Sequence, residues 1–318
     1  MPPALENGED PAVADDAPRS PIQSRALNTE DRRTMSDKPR IGFQGEPGAY
    51  SHLACLEAYP DMEPVPNESF EDAFNAVESG HVDLGMIPIE NTLGGRVADI
   101  HHLLPESNLH IVDEHFQPVQ HHLLAVNGAS LDTIERVESH PQGLAQCRRL
   151  IRELGLKPVH VADTAGAARH VAQRGDPAIA AIASSLAGEI YGLDVLRSRV
   201  EDRADNTTRF IVMSREARLP ARDSGPCMTA FLFQARSVPA SLYKALGGFA
   251  TNGVNITKLE SYIVDSSFTV AQFYAEIEGH PEDEGVVHAF EELQFFSSTL
   301  KVLGVFPAHA FRRREKTP

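Results

Sequence analysis

From Arg40 to Ala183, short apolar runs alternate with amphipathic stretches, the rhythm of a chain that builds parallel sheets covered by helices. Residues 41–44 read as a buried strand, followed by the turn Gly45-Glu46-Pro47-Gly48 and a helical stretch at 49–58. Ser69-Phe70-Glu71-Asp72 is a capping box. Behind it Phe70, Ala73, Phe74 and Val77 share one helical face, which Gly80 closes. Residues 82–89 form the next strand, broken by the turn-rich Glu90-Asn91-Thr92-Leu93-Gly94-Gly95. A second unit opens with a strand at 121–126. Its helix 141–154 starts on Pro141, turns Leu144, Cys147, Leu150, Ile151 and Leu154 inward, and ends at Gly155. Thr164 caps a further helix that stops at Gly175, and 178–183 is the strand after it.

The two units overlay. In each, a hydroxyl cap precedes a helix-closing glycine (Ser69 to Gly80, Thr164 to Gly175), an acid follows, and an apolar strand ends in small polar residues. This is the pattern of two α/β lobes presenting strand ends to a shared cleft, where open sheets bind ligands. The chain returns through Thr207-Thr208-Arg209-Phe210 into a strand at 210–214. After a Pro/Gly-bearing linker at 217–227, the pattern changes to strand, helix, strand, strand, helix, strand over 228–309, the βαββαβ order of a ferredoxin-like sandwich. Residues 310–318 are a basic tail, expected to be solvated.

Composition narrows the function. Residues 1–39 hold six prolines and no aromatic side chain, and are expected to be disordered, with Met35 a candidate start of translation. The formal net charge is −16, nearly all of it beyond residue 40, which disfavours nucleic acid and anionic membrane surfaces as partners. Cys55, Cys147 and Cys227 lie far apart with no CxxC pair, arguing against a zinc knuckle or a secreted disulfide framework and for a reducing cytoplasm. Fourteen histidines include the pairs His101-His102 and His121-His122, yet no HExxH or comparable spacing occurs, so no metal is expected.

Four segments in order carry a family resemblance: Gly45-Glu46-Pro47-Gly48-Ala49-Tyr50-Ser51, Pro88-Ile89-Glu90-Asn91, Ser139-His140-Pro141-Gln142 and Asn206-Thr207-Thr208-Arg209-Phe210. With them the chain resembles the prephenate dehydratases and their arogenate-using relatives over nearly everything after Arg40. The C-terminal module resembles the regulatory ACT domain of that family. The resemblance implies a two-lobed, periplasmic-binding-protein-like catalytic domain at 40–216 and an ACT domain at 228–309, assembled as a homodimer or homotetramer. Ala49 stands where many bacterial members have threonine, as in arogenate-using relatives. Ala240-Ser241-Leu242 and Glu260-Ser261-Tyr262-Ile263 depart from the family's Gly-Ala-Leu and Glu-Ser-Arg-Pro.

The family reaction removes carbon dioxide and the ring hydroxyl from prephenate, driven by aromatisation. It calls for no cofactor, only a placed substrate and a hydrogen-bond donor at the departing hydroxyl. The resemblance assigns that donor to Thr208, with Asn91, Gln142 and Glu90 around the reacting groups and Ser51, Ser139, His140, Arg209 and Phe210 around the substrate. Arg209 is expected either to hold a carboxylate or to pair with Glu201 or Asp202. A tight ion pair to the ring carboxylate would stabilise the group that must leave, so any cation belongs on the side-chain carboxylate. The amides behind Gly48 offer an anion seat. In the ACT module, Ala240, Ser241, Leu242, Asn252, Val254, Asn255, Ile256, Glu260 and Ser261 are implied to hold phenylalanine between two copies.

Overall fold

The computed structural model describes residues 38–236, 238–263 and 271–313. The expected disordered segment 1–37, the candidate start at Met35 and the end of the tail, 314–318, lie outside them. The first lobe runs through β1 (Arg40–Gln44), α1 (Tyr50–Ala58), β2 (Glu63–Asn67), α2 (Phe70–Glu78), β3 (Leu84–Asn91), β4 (Gly95–Arg96), α3 (Ile100–Glu106) and β5 (His110–Pro118). The second comprises β6 (His122–Ala125), β7 (Arg136–Ser139), α4 (Pro141–Gln146), α5 (Arg148–Glu153), β8 (Lys157–His160), α6 (Thr164–Arg174), β9 (Ile179–Ala183), α7 (Ser185–Tyr191) and β10 (Asp194–Arg197). The chain then returns to the first lobe as β11 (Thr207–Ser214).

The suspected repeat is visible in the topology. β1 pairs in parallel with both β2 and β3, and β7 pairs in parallel with both β8 and β9. Each three-stranded parallel core is closed by an antiparallel neighbour, β11 on β3 and β6 on β9. Both lobes therefore present the C-terminal ends of equivalent strands, which is where such sheets leave room for a ligand.

Two sequence readings change here. The helix expected over 141–154 breaks at Cys147, because the Asp202 carboxylate accepts hydrogen bonds from Arg148 N and Arg149 N (both 3.0 Å) and starts a second helix. The α6 cap is Asp163 rather than Thr164; its Oδ1 accepts from Gly166 N at 2.6 Å.

The C-terminal module consists of β12 (Cys227–Ala235), α8 (Ser241–Thr251), β13 (Ile256–Ile263), β14 (Ala271–Glu278), α9 (Glu284–Phe296) and β15 (Ser297–Pro307), with sheet order β13-β14-β12-β15. Cys227, placed in the linker by the sequence, belongs to β12, and residues 264–270 of the module lie outside the described residues. Alternation along β12 buries both faces. Phe231 and Phe233 pack with Phe249 and Phe290 of the helices. Met228, Ala230 and Leu232 join Ile87, Ile89, Ile211 and Met213 of the first lobe in one apolar core. The module's sheet is thus sandwiched between its own helices and the catalytic sheet. The tail is drawn in as well: Ala310–Arg313 form a 3-10 turn and Arg312 reaches buried carboxylates, so it is not a solvated end.

At the seam Gly304 of β15 lies against the backbone of Ile111 on β5, where a Cβ would overlap the Ile111 carbonyl. Gly304→Ala must push two backbones apart and is expected to cost about 1–3 kcal/mol, lowering Tm by several degrees in a circular-dichroism melt. An unchanged Tm would contradict this packing.

Candidate active site

A crevice of about 920 Å³ opens between the lobes. Thr208, Asn91 and Phe210 line it from the first lobe with Ser51, and Gln142 and His140 line it from the second. Alternation on β11 explains the first set: Thr208 and Phe210 face the crevice, and Arg209 between them faces the other way. On α4, Pro141 starts the helix and His140 caps it, its Nδ1 accepting from Gln142 N at 3.2 Å, which sets the Gln142 side chain at the rim.

Asn91 organises the polar wall. Its Oδ1 accepts from Leu93 N (2.9 Å) and Gly94 N (2.7 Å), which fixes which end of the amide is oxygen. Its Nδ2 therefore donates, to Thr208 Oγ1 at 3.0 Å and to Asn206 Oδ1 at 2.8 Å. The Thr208 oxygen is occupied as an acceptor, and its own proton remains for a group in the crevice. The orientation then propagates. Asn206 Nδ2 donates to Gln146 Oε1 at 3.0 Å, and the same oxygen lies 2.8 Å from His121 Nε2, which must carry the proton. Burial, outweighing the opposing pull of Gln146 and Glu201, lowers the His121 pKa, so the ring is neutral at pH 7; its Nδ1 lies 2.9 Å from Tyr50 Oη, which donates to the Gln120 carbonyl at 2.8 Å. Burial pushes the Tyr50 phenol well up, which keeps that proton in place. One connected set of oriented hydrogen bonds spreads from Asn91 to Thr208 on one side and through Asn206 to Gln146 on the other, where His121 meets it.

The turn Gly45-Glu46-Pro47-Gly48 is bound to the second lobe. Ser184 Oγ donates to Gly48 O (2.5 Å), Tyr191 Oη donates to Pro47 O (2.9 Å), and Glu46 pairs with Arg169 at 3.0 Å. No lysine or arginine lines the crevice among the described residues. Anionic groups would instead meet amides and the N-terminal end of α1, which has no side-chain cap, the weaker grip a departing carboxylate requires.

Three expected site residues are elsewhere. Arg209 is 3% exposed and pairs with Glu114, Glu276 and Glu90 at 2.8–3.0 Å, rather than with a ligand or with Glu201 or Asp202. Burial opposes its charge, but Glu276 and Glu114 outweigh that and hold the guanidinium protonated. Glu201 accepts from His121 N, and Asp202 caps α5. Glu90 faces away from the crevice and accepts from Arg209 and Lys258. Burial alone would raise its pKa; Lys258 and Arg209 bring it below the ordinary value. Ser139 is fully buried and donates to Ile182 O at 2.6 Å, a link between β7 and β9.

The sequence reading overlooked Tyr50, His121, Gln146, Asn206 and Gly94. Asn206 stood inside a quoted motif, and Gln146 lies one helical turn after Gln142 on the same face, a spacing that signals a shared partner. Gly94 separates the two amides: a Cβ there would come 2.7 Å from Gln142 Nε2 and 3.3 Å from Asn91 Oδ1.

Fold and crevice define a two-lobed α/β enzyme of small molecules, carrying a ferredoxin-like module. Residues 41–218 match the prephenate dehydratase family profile, and the chain belongs to that family. It is 49% identical over 281 residues, 88% of this chain and 100% of the relative, to a protein of Komagataeibacter europaeus named bifunctional N-acyl-homoserine lactone acylase/prephenate dehydratase. It is 39% identical to the Arabidopsis thaliana arogenate dehydratase/prephenate dehydratase 1, chloroplastic, covering 92% of this chain and 77% of that one. The crystal structure of the Arthrobacter aurescens prephenate dehydratase in complex with L-Phe superposes with a TM-score of 0.78 at 28% identity, covering 85% of this chain and 90% of that one.

Gly94→Ala is expected to lower kcat about tenfold or more by parting Asn91 and Gln142, while Tm moves by under about 2 °C because the site is exposed. Steady-state kinetics beside a melting curve separates the two; unchanged kcat would show that the amides need not be adjacent.

Proposed function

We propose that the chain converts prephenate to phenylpyruvate by decarboxylative dehydration, with Thr208 as hydrogen-bond donor to the departing ring hydroxyl. As the ring carboxylate leaves as carbon dioxide, its C–C bond electrons enter the ring and the C–O bond breaks. The oxygen departs as hydroxide and takes up a proton to become water. Charge develops on that oxygen only in the transition state, where a preorganised donor lowers the barrier. Threonine is a poor acid at neutral pH, so the hydroxyl acts by hydrogen bonding, and Asn91 keeps its proton turned toward the crevice. The observation that carries the reading is the placement of Thr208, Asn91 and Gln142 on one crevice whose lining includes no lysine or arginine among the described residues. Phe210 supplies an apolar wall for the ring. Arogenate, with an ammonium in place of the keto group, is the alternative substrate named for the plant relatives.

Acyl transfer, named for the Komagataeibacter relative, would call for an activated nucleophile. Burial pushes the thiols of Cys55, Cys147 and Cys227 up in pKa, and Ser51, the serine on the crevice, has no histidine hydrogen-bonded to it among the described residues. These buried free thiols fit the reducing cytoplasm proposed as the site of the reaction. Dehydration is therefore the reading adopted.

Regulation by phenylalanine through the ACT-like module is part of this proposal. Ala240-Ser241-Leu242 and the Asn252–Ile256 segment stand at opposite ends of α8, about 16 Å apart for eleven residues. One amino acid is too small to bridge them within a copy, which supports a site shared by two copies of the chain. Glu260 and Ser261 contact Arg96 of β4 instead.

Purified protein offered prephenate or arogenate separately, with phenylpyruvate and phenylalanine measured, tests the reading. The wild type is expected to turn over at least one of them, and Thr208→Val to lose about 10²–10³ in kcat. A Thr208→Val rate within a few fold of wild type would overturn the assignment.

A further inference from the structure

We propose that Lys258 and Glu276, both on the C-terminal module, are positioning residues for the chemistry at Thr208 and Asn91; the inference rests on the functional reading above. Thr208 pairs with Asn91 across the β3–β11 ladder, and the adjacent pair is Arg209 with Glu90. Immediately beyond, between Arg209 and Phe210, the register slips. A bulge leaves a residue unpaired and weakens the β3–β11 ladder locally, and this one lies beside the pair that carries the two crevice residues.

The restraint comes from the opposite face. Arg209 Nη1 donates to Glu90 Oε1 (3.0 Å) and to Glu276 Oε1 (2.9 Å), while Nε donates to Glu114 Oε2 (2.8 Å). Lys258 Nζ donates to Glu90 Oε2 at 2.6 Å. Glu114 and Glu276 have fully buried side chains. The catalytic half contributes one cation, Arg209, and two carboxylates, Glu90 and Glu114; the C-terminal part contributes one carboxylate, Glu276, and two cations, Lys258 and Arg312. Lys258 also lies 3.3 Å from Glu260 of the module, which Arg96 of the catalytic half meets at 3.6 Å, so the ion pairs cross between the two halves at several points. Removing Glu276 leaves the buried Arg209 with one partner fewer, and removing Lys258 leaves Glu90 held by Arg209 alone; a group that has lost a partner relaxes by moving. The easiest movement is at the bulge, which carries Thr208 and Asn91 with it. Since an error near 1 Å can cost about a hundredfold in rate, the module's side chains act on the reaction without touching substrate.

The test uses the full chain and whichever of prephenate or arogenate the wild type turns over. Lys258→Met keeps the aliphatic stem and removes the charge. It is expected to lower kcat about tenfold with KM changed less than about twofold, and Lys258→Arg is expected to restore most of the loss. Combined with Glu90→Gln, the double variant should be no slower than the slower single one, because both remove the same link. Glu276→Gln should lower kcat in the same way, with circular dichroism separating this from loss of fold; where it does not fold, the Lys258 series decides. A folded Lys258→Met with wild-type kcat, or losses that multiply in the double variant, would overturn the positioning role and leave the dehydratase reading standing. A wild type inactive on both substrates would overturn both.

Discussion

Two backbone N–H groups, those of Leu93 and Gly94, fix the oxygen end of the Asn91 amide, and the polar order of the crevice follows from them. An amide can flip at little intrinsic cost, but here flipping would set its NH2 against two donors and leave buried groups unsatisfied. With Asn91 fixed, Thr208 is an acceptor toward the wall and a donor toward the crevice. Asn206, Gln146 and His121 fall into line behind it, each orientation forced by the one before. No group in this chain needs to be charged, which suits a site whose substrate already brings two carboxylates.

The strands that carry these residues serve two regions at once. β11 turns Thr208 and Phe210 to the crevice and Arg209, Ile211 and Met213 to the C-terminal module; β3 likewise offers Asn91 to one side and Glu90 to the other. Burial of Met228, Ala230 and Leu232 against the far side of this sheet makes the module part of the wall that supports the reaction. Its attachment is electrostatic as well as apolar, and the electrostatic part converges on the strand neighbours of the reacting residues.

Much of this was legible in the sequence. The strand–helix alternation, the repeated lobe and the βαββαβ order follow from periodicity, and motif order brought Thr208, Asn91 and Gln142 to attention. The misreadings have physical causes. The resemblance puts Arg209 beside Thr208 at the substrate and the residues leave a structural ion pair open; neighbours in a strand point to opposite faces, so only one of the two can face the crevice. β5 was missed because Asp113, Glu114 and His115 interrupt its apolar pattern, and Glu114 is a charge buried against Arg209 and Arg312, partners distant in sequence. The break at Cys147 depends on Asp202, and the docking of Arg312 on Glu114 and Glu276; no local pattern foreshadows contacts of that range.

The account turns on where the Thr208 proton goes. A crystal structure with a bound, unreactive substrate analogue that keeps the ring hydroxyl measures this directly. The account predicts that hydroxyl oxygen at about 2.6–3.0 Å from Thr208 Oγ1, with Asn91 Nδ2 still donating to the same threonine oxygen. A ring hydroxyl seated on another group, with Thr208 beyond hydrogen-bond reach or turned to the wall, would contradict it.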